Sequence, residues 1–268
     1  MPARARLQPC QLTGRDQAIL RDLARVRLLS GQQLERLHFA ALATPNARGS
    51  ARRRTLRRLV SAGWVTTLPR RVGGERAGSA GLLYSLDALA QRERQAWVDD
   101  PLANLSSGRT RRPWAIGWLF VQHTLDVAEL YVQLREAERR GELTLLRFDA
   151  EPASWFTLEG TVTLKPDAFV VLETADWERH WWIEVDRATE SLPTVQRKLD
   201  RYVHLYRSGR SGPDGLWPRV LVTVPDERRG DHLRALAQLL GTEAGFIEVA
   251  RFDQASRSLP GQTARPPP

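Results

Sequence analysis

Apolar side chains in the first part of the chain recur every three or four residues, which is the spacing of amphipathic helices. Residues 12–26 predict a first helix, in which Thr13 and Asp16 have the spacing of a capping box. Residues 30–39 predict a second, shorter helix with Ser30 at its N-cap. The pattern therefore indicates that the chain begins with a small helical domain.

A third helix is predicted over residues 49–63, with Ser50 as its N-cap and its apolar residues on one face. Residues 64–86 follow as an apolar strand, a basic glycine-rich loop and a returning strand, which is the pattern of a hairpin. Three helices and a basic hairpin predict a winged helix-turn-helix. In such a domain the third helix enters the major groove of DNA and the hairpin approaches the backbone.

Arginine is concentrated on these two elements, with five arginines among the seven residues from 52 to 58. The guanidinium group presents a planar fork of donors that matches phosphate oxygens and guanine edges. The residues predicted to contact DNA are Arg53, Arg54, Arg57 and Arg58 on the third helix and Arg70, Arg71 and Arg76 on the hairpin. A protein-interaction module with a solvated basic face is the alternative.

The second part of the chain alternates between helical and strand patterns. After a long helix over residues 114–140, strands are predicted over 143–151, 160–173 and 179–187, then a helix over 191–208, a strand over 217–225, a helix over 229–240 and a strand near 245–252. The predicted fold class is thus mixed α/β, with a winged helix followed by an αβββαβ core that carries an additional helix and strand.

Charge separates the two parts of the chain. Residues 1–112 hold 21 arginines, no lysine and 8 acidic residues, whereas the remainder is acidic on balance. This asymmetry favours a nucleic-acid-binding front part. One cysteine excludes a disulfide framework, and the sequence has no apolar run long enough for a membrane span. We therefore expect a cytoplasmic protein without a membrane partner.

The predicted domain organisation follows from these patterns. A winged helix DNA-binding domain is expected over residues 1–98 and a polar linker over 99–113. The αβββαβ domain is expected over 114–252, and a disordered tail rich in proline and polar residues over 253–268.

Acidic residues occupy positions in the second and third strands of this domain that an apolar core would otherwise fill. Asp167 opens the second strand after Pro166, and Glu184 lies inside the third. This order of elements and acids resembles the PD-(D/E)XK nuclease superfamily, and the resemblance implies that Asp167 and Glu184 hold Mg2+ or Mn2+. Carboxylate oxygens suit such hard cations, which activate water for attack on a phosphodiester.

The sequence departs from the superfamily motif two residues after Glu184, where Asp186 replaces the expected lysine. Lys198, on the following helix, is a candidate for the missing catalytic cation. A further metal ligand at Asp186 and an inactive site are the alternatives.

Three other residues are candidates for the same site. Glu151, at the end of the first strand, is a candidate metal ligand or an ordinary acid at a strand end. His123 and Glu129, on the long helix, are candidate accessory residues; the alternative for a lone helical histidine is a packing or capping role.

The chain from about residue 12 to 225 also resembles the replication-relaxation family of bacterial plasmids and integrative elements, through segments such as "RRRTLRRLVSAGWV", "KPDAFVVL", "WIEVDRATES" and "WPRVLVTVP". The resemblance implies a double-stranded-DNA-binding protein that acts in replication, relaxation or mobilisation of such an element, with possible Mg-dependent nicking. A non-catalytic replication initiator or transcriptional regulator is the alternative. In that case the nuclease-like domain forms a homodimer or binds replication or conjugation proteins.

Overall fold

The computed structural model describes residues 12–68, 82–92, 117–175 and 177–260. Contacts divide the chain into two compact units, residues 1–132 and 133–268. The mixed α/β class predicted from the sequence is confirmed.

The elements of the first unit include the three predicted helices and the two predicted hairpin strands in that order, together with a short strand and a short helix that were not predicted. They are α1 (Gly14–Val26), β1 (Leu29–Ser30), α2 (Gly31–His38), α3 (Pro45–Ser61), β2 (Val65–Leu68), β3 (Leu83–Leu86) and α4 (Ala88–Arg92). The three strands form an antiparallel sheet in the order β1-β3-β2. The capping boxes at the starts of α1 and α2 are both present, with Thr13 paired with Asp16 and Ser30 with Gln33.

The third helix begins earlier than predicted. Its N-cap is Thr44, whose hydroxyl accepts a hydrogen bond from the backbone N–H of Ala47 (3.2 Å), and Pro45 occupies the first helical position. Proline fits there because its missing N–H has no partner within the helix. Ser50 therefore lies inside the helix rather than at its cap, and α3 begins about one turn before the predicted start at residue 49.

A long helix, α5 (Trp118–Arg139), spans the division between the two units. Val121 and Leu125 from its first half pack in one apolar cluster with Leu28, Leu68 and Leu83. The domain boundary was expected in the linker at 99–113, whereas the division between the two compact units falls after Val132. The reason is that Val121 and Leu125 of α5 contribute to the core of the first unit.

The second unit contains a five-stranded sheet in the order β10-β9-β8-β7-β4. Its elements are β4 (Thr144–Ala150), β5 (Phe156–Leu158), β6 (Thr161–Leu164), β7 (Ala168–Glu173), β8 (Glu178–Val185), α6 (Leu192–Arg207), β9 (Arg219–Val224), α7 (Glu227–Leu239), β10 (Ile247–Arg251) and α8 (Ala255–Ser258). Strands β4, β7 and β8 are antiparallel neighbours, whereas β8, β9 and β10 run parallel.

The second strand predicted over 160–173 is divided in two. Its first part, β6, pairs with β5 in a separate hairpin, whereas its second part, β7, joins the main sheet. The division falls at residues 165–167, where Pro166 has no N–H to donate to a ladder. Asp167 is thereby placed at the entrance of the central strand β7.

Residues 253–260, which the sequence places in a disordered tail, carry structure. Residues 252–254 form a 3-10 turn and Ala255–Ser258 a short helix, and Ala255 and Leu259 are buried. Apolar burial thus extends the ordered unit past the predicted end at 252; residues 261–268 lie outside the described residues.

One face of the main sheet forms the core of the second unit. Apolar side chains of β7, β8 and β9 pack there against α6; they include Phe169, Val171, Trp182, Val220 and Val222 on the sheet and Val195, Leu199 and Tyr202 on the helix. Within the described parts of the chain, no helix combines the length and the apolar character that a membrane crossing requires.

Candidate functional site

The exposed face of α3 carries the arginines predicted to contact DNA. Arg53, Arg54 and Arg57 are exposed. Arg53 donates a hydrogen bond to the hydroxyl of Ser50 on the preceding turn (3.1 Å), whereas Arg54 and Arg57 form no ion pair with any residue that the structure describes. Cations without an intramolecular partner keep their full charge available to an external anion.

Arg58 differs from its neighbours because it is held by an acid of α1. Its Nη2 atom donates to both carboxylate oxygens of Asp16, at 2.6 and 2.7 Å, and the Asp16 side chain is 0% exposed. Burial raises the pKa of Asp16, but hydrogen bonds from Arg58 and Thr13 more than offset this, so the pKa lies below its usual value. Although it was predicted to contact DNA, Arg58 thus has a structural role in joining α3 to α1.

The hairpin arginines Arg70, Arg71 and Arg76, which were predicted to approach the DNA backbone, lie outside the described residues.

In the second unit, Glu184, Lys198 and Tyr202 are brought together by β8 and α6. Glu184 lies two residues after Trp182 on β8, so both side chains point to the sheet face that α6 covers. Lys198 and Tyr202 are four residues apart on α6 and therefore lie on one side of the helix. Lys198 Nζ donates to Glu184 Oε2 (3.0 Å), and the hydroxyl of Tyr202 donates to Glu184 Oε1 (2.6 Å).

Asp167 is held next to this group by the end of β8. Its backbone N–H donates to the carbonyl of Ile183 (2.9 Å), and its Oδ2 accepts from the backbone N–H of Val185 (2.7 Å). The negative charge of Asp167 acts on Glu184, and both carboxylates act on Lys198. The structure thus has Glu184, Lys198 and Tyr202 in direct contact, with Asp167 beside them; we call these four residues the acid cluster.

Burial dominates the electrostatics of the acid cluster. Burial, followed by the negative charge of Asp167, raises the pKa of Glu184 to about 7, although Lys198 and Tyr202 act in the opposite direction. Burial disfavours the charge on Lys198, but the two carboxylates more than compensate, so its pKa lies above the usual value. Burial and the charge of Glu184 raise the pKa of Tyr202 well above normal, so its hydroxyl stays protonated and donates the hydrogen bond to Glu184.

Asp186 does not join this cluster. Its carboxylate accepts hydrogen bonds from Arg229 Nε (2.6 Å) and Nη2 (3.3 Å) on α7, and from the backbone N–H of Ala188 (2.7 Å). Arg229 also donates to the backbone carbonyl of Glu190 (2.9 Å). Asp186, predicted as a catalytic or metal-binding residue, therefore fixes the loop between β8 and α6 to α7, because Arg229 supplies a forked donor that matches its two oxygens.

Glu151 lies beside Asp167 along the backbone. Its N–H donates to the carbonyl of Asp167 (3.1 Å), and the residue is half-buried.

Glu129 and His123 lie on the part of α5 that belongs to the first unit. Glu129 accepts hydrogen bonds from Gln33 Nε2 (3.0 Å) and Arg36 Nη1 (2.6 Å), both on α2. The carboxylate predicted as an accessory ligand is thus engaged by α2 within the first unit, and His123 is half-buried on the same helix.

The donor set of the acid cluster does not suit a divalent cation. Both carboxylate oxygens of Glu184 accept hydrogen bonds, one of them from an ammonium group, and Oδ2 of Asp167 is held by a backbone N–H. In the parts of the chain that the structure describes, no group of three or more acidic, histidine or cysteine residues has a metal-binding arrangement. The ammonium group of Lys198 lies 3.0 Å from Glu184 Oε2 and would repel a second cation at that oxygen.

Two residues of these sites were not singled out from the sequence. Tyr202 was assigned to the apolar stripe of α6, although its position four residues after Lys198 is a signal that both side chains meet one strand. Arg229 gave no comparable signal, because its partner Asp186 is 43 residues away in sequence.

Comparison with known proteins found one family. A family model described as replication-relaxation matches residues 20–220, which cover most of both compact units. Neither the curated proteins nor the solved structures contain a match to the chain.

Proposed function

Since the chain belongs to the replication-relaxation family, whose members act in the replication or relaxation of plasmids or mobile elements, we propose that it binds double-stranded DNA in that process. The first unit is the binding module, and α3 is the helix that enters the major groove. The observation that carries the proposal is the pair of exposed arginines, Arg54 and Arg57, which have no intramolecular ion pair among the described residues.

The arrangement around α3 supports this function. The order α1, β1, α2, α3, β2, β3, with a sheet in the order β1-β3-β2, is that expected of a winged helix-turn-helix. In such a domain α3 is held from behind by the other helices and the sheet, so its outer face is free to approach a duplex. The buried contact of Arg58 with Asp16 fixes this helix without using Arg54 or Arg57.

The double variant Arg54→Ala/Arg57→Ala is expected to lower affinity for duplex DNA roughly 10- to 100-fold at moderate salt. It is also expected to reduce the slope of log Kd against log salt by at least about one, for the lost phosphate contact of Arg54. Fluorescence anisotropy with a labelled duplex, titrated at several salt concentrations, measures both quantities.

The matched control removes the same charge from the second unit. Arg201 and Arg228 are also exposed and, among the described residues, without an ion pair. The double variant Arg201→Ala/Arg228→Ala should leave affinity and slope close to those of the parent protein. Equal losses in the two double variants would show that net charge, rather than α3, determines binding.

The second unit is proposed to act without cutting DNA, because Glu184 is engaged by Lys198 and Tyr202. Metal-dependent phosphodiester hydrolysis is the second candidate function. It is favoured by the convergence of Asp167, Glu184 and Lys198 on one site, and it requires Glu184 to release both of its hydrogen-bond donors.

A nicking assay on supercoiled plasmid separates these two functions. With Mg2+ or Mn2+, the parent protein is expected to convert no more plasmid to the open-circular form than Asp167→Ala and Glu184→Ala do. DNA binding by each preparation, measured in parallel, confirms that the proteins are competent. Nicking by the parent protein that both variants lose would contradict the non-cleaving function and establish the second candidate.

A further inference from the structure

The exposed face of α3 carries a line of polar side chains that runs along nearly the whole helix. Asn46, Ser50, Arg53 and Arg57 follow one another at intervals of four, three and four residues, and all four are exposed. At 3.6 residues per turn these intervals place the side chains in one straight stripe. We call this set the central stripe.

Two other exposed arginines of the helix, Arg54 and Arg58, lie to one side of the central stripe. Arg54 and Arg58 are each one position further around the helix than Arg53 and Arg57, and Arg58 is anchored to Asp16. A helix that lies in a groove presents its central line to the base edges and its flanks to the phosphates. The central stripe therefore faces the base pairs, whereas Arg54 is directed toward the backbone.

The chemistry of the central stripe matches base edges. An asparagine amide offers one donor and one acceptor, which pair with N7 and N6 of adenine, and an arginine fork pairs with O6 and N7 of guanine. Asn46 is exposed and, within the described residues, its amide makes no hydrogen bond. Ser50 accepts a hydrogen bond from Arg53 (3.1 Å), which restrains that guanidinium group before DNA is bound.

From this geometry we infer that the protein recognises DNA by sequence, with Asn46, Arg53 and Arg57 reading base edges and Ser50 positioning Arg53. The inference rests on the proposed function and adds the class of substrate, a duplex with a defined motif. The stripe spans eleven residue steps, or ~16 Å at 1.5 Å per residue. At 3.4 Å per base pair this covers about four to five base pairs, read as guanine at the arginines and adenine at Asn46.

The test selects binding sites from a randomised duplex library with the full chain and with single variants. Asn46→Ala is expected to lose the preference for adenine at one position, by about tenfold or more, and Arg53→Ala the preference for guanine at another. Ser50→Ala should weaken discrimination at the guanine position of Arg53 and leave the other positions intact. Because these side chains are exposed, the melting temperature of each variant should match that of the parent protein.

Arg54→Ala is the matched control for a contact with the backbone. It should lower affinity for every sequence to the same extent and reduce the salt slope by about one, without altering the selected motif. A parent protein that binds all duplexes equally, or a selected motif that Asn46→Ala and Arg53→Ala both leave unchanged, would overturn the inference while the proposed function stands. A parent protein that binds no duplex would overturn the proposed function as well.

Discussion

The free energy of unfolding of the parent protein is expected to fall by about 3 kcal/mol between pH 4.5 and pH 7 through Glu184 alone. The physical reason is the buried position of this carboxyl group, whose pKa is raised from 4.5 to about 7 on folding. In that pH window the folded protein retains a proton that the unfolded chain has released. Folding is therefore favoured at the lower pH, and this contribution is lost as the pH rises through 7.

Glu184→Gln should remove this part of the pH dependence. The glutamine amide oxygen still accepts the hydrogen bond of Tyr202, and it carries no charge that burial opposes. Lys198, whose side chain is 37% exposed, can turn toward water and toward Asp167. Denaturant unfolding of the two proteins at pH 5, 6, 7 and 8 measures the difference, which should be greatest above pH 7.

Two further variants make this test specific. Glu190→Gln removes an exposed carboxylate 3.8 Å from the same lysine, and it should leave the pH profile of the parent protein unchanged. Lys198→Met should move the loss of stability to higher pH, because the charge of Lys198 lowers the pKa of Glu184. Parallel profiles for the parent protein and Glu184→Gln would contradict the assignment of a titrating Glu184.

The elements that local signals specify were predicted well from the sequence. Thr13 with Asp16, and Ser30 with Gln33, mark the starts of α1 and α2 because their bonds join residues three apart. The start of α3 was misplaced because Ser50 is also a good cap residue in isolation. The preceding Thr44-Pro45 pair supplies a cap and a first-turn proline, and the helix continues unbroken through Gly49 and Ser50.

Asp167 and Glu184 were placed together because the order of strands predicted neighbouring positions in one sheet. β7 and β8 do pair, with Ala168 opposite Ile183, so the two acids lie at the same end of the ladder. The partners of these acids were harder to predict. Lys198 and Tyr202 lie about one turn apart on α6. Which of them contacts Glu184 depends on how α6 is rotated about its axis on the sheet, and in the structure both do.

Asp186 illustrates why a motif position does not determine a role. Its spacing from Glu184 suggested the same site, since alternate residues of a strand share a face. However, β8 ends at Val185, so Asp186 lies outside the strand and need not share the face of Glu184. Its carboxylate pairs with Arg229 on α7, a pairing between distant segments that no local pattern encodes.

Arg58→Ala is expected to lower the free energy of unfolding by about 2–3 kcal/mol at pH 7. Asp16 has a side chain that is 0% exposed, so removal of its guanidinium partner leaves a buried carboxylate with only the hydrogen bonds of Thr13. The loss is smaller than the roughly 3–5 kcal/mol of a fully buried pair, because Arg58 itself is 42% exposed and partly screened by water.

The adjacent residue supplies the control. Arg57→Ala removes the same side chain one position earlier on α3, where it is exposed and has no ion pair within the described residues, so the change in stability should be within about 0.5 kcal/mol. Once both variants are folded, Arg57→Ala should weaken DNA binding more than Arg58→Ala does.

The lowered pKa of Asp16 determines how the stability depends on pH. The ionised form of Asp16 stabilises the protein above pH 3.8, the ordinary pKa of this group, and this stabilisation is lost as the pH falls below that value. The difference in free energy of unfolding between the parent protein and Arg58→Ala should therefore become smaller at acidic pH. Equal stability of Arg57→Ala and Arg58→Ala at pH 7 would refute the structural role of Arg58 and favour its predicted contact with DNA.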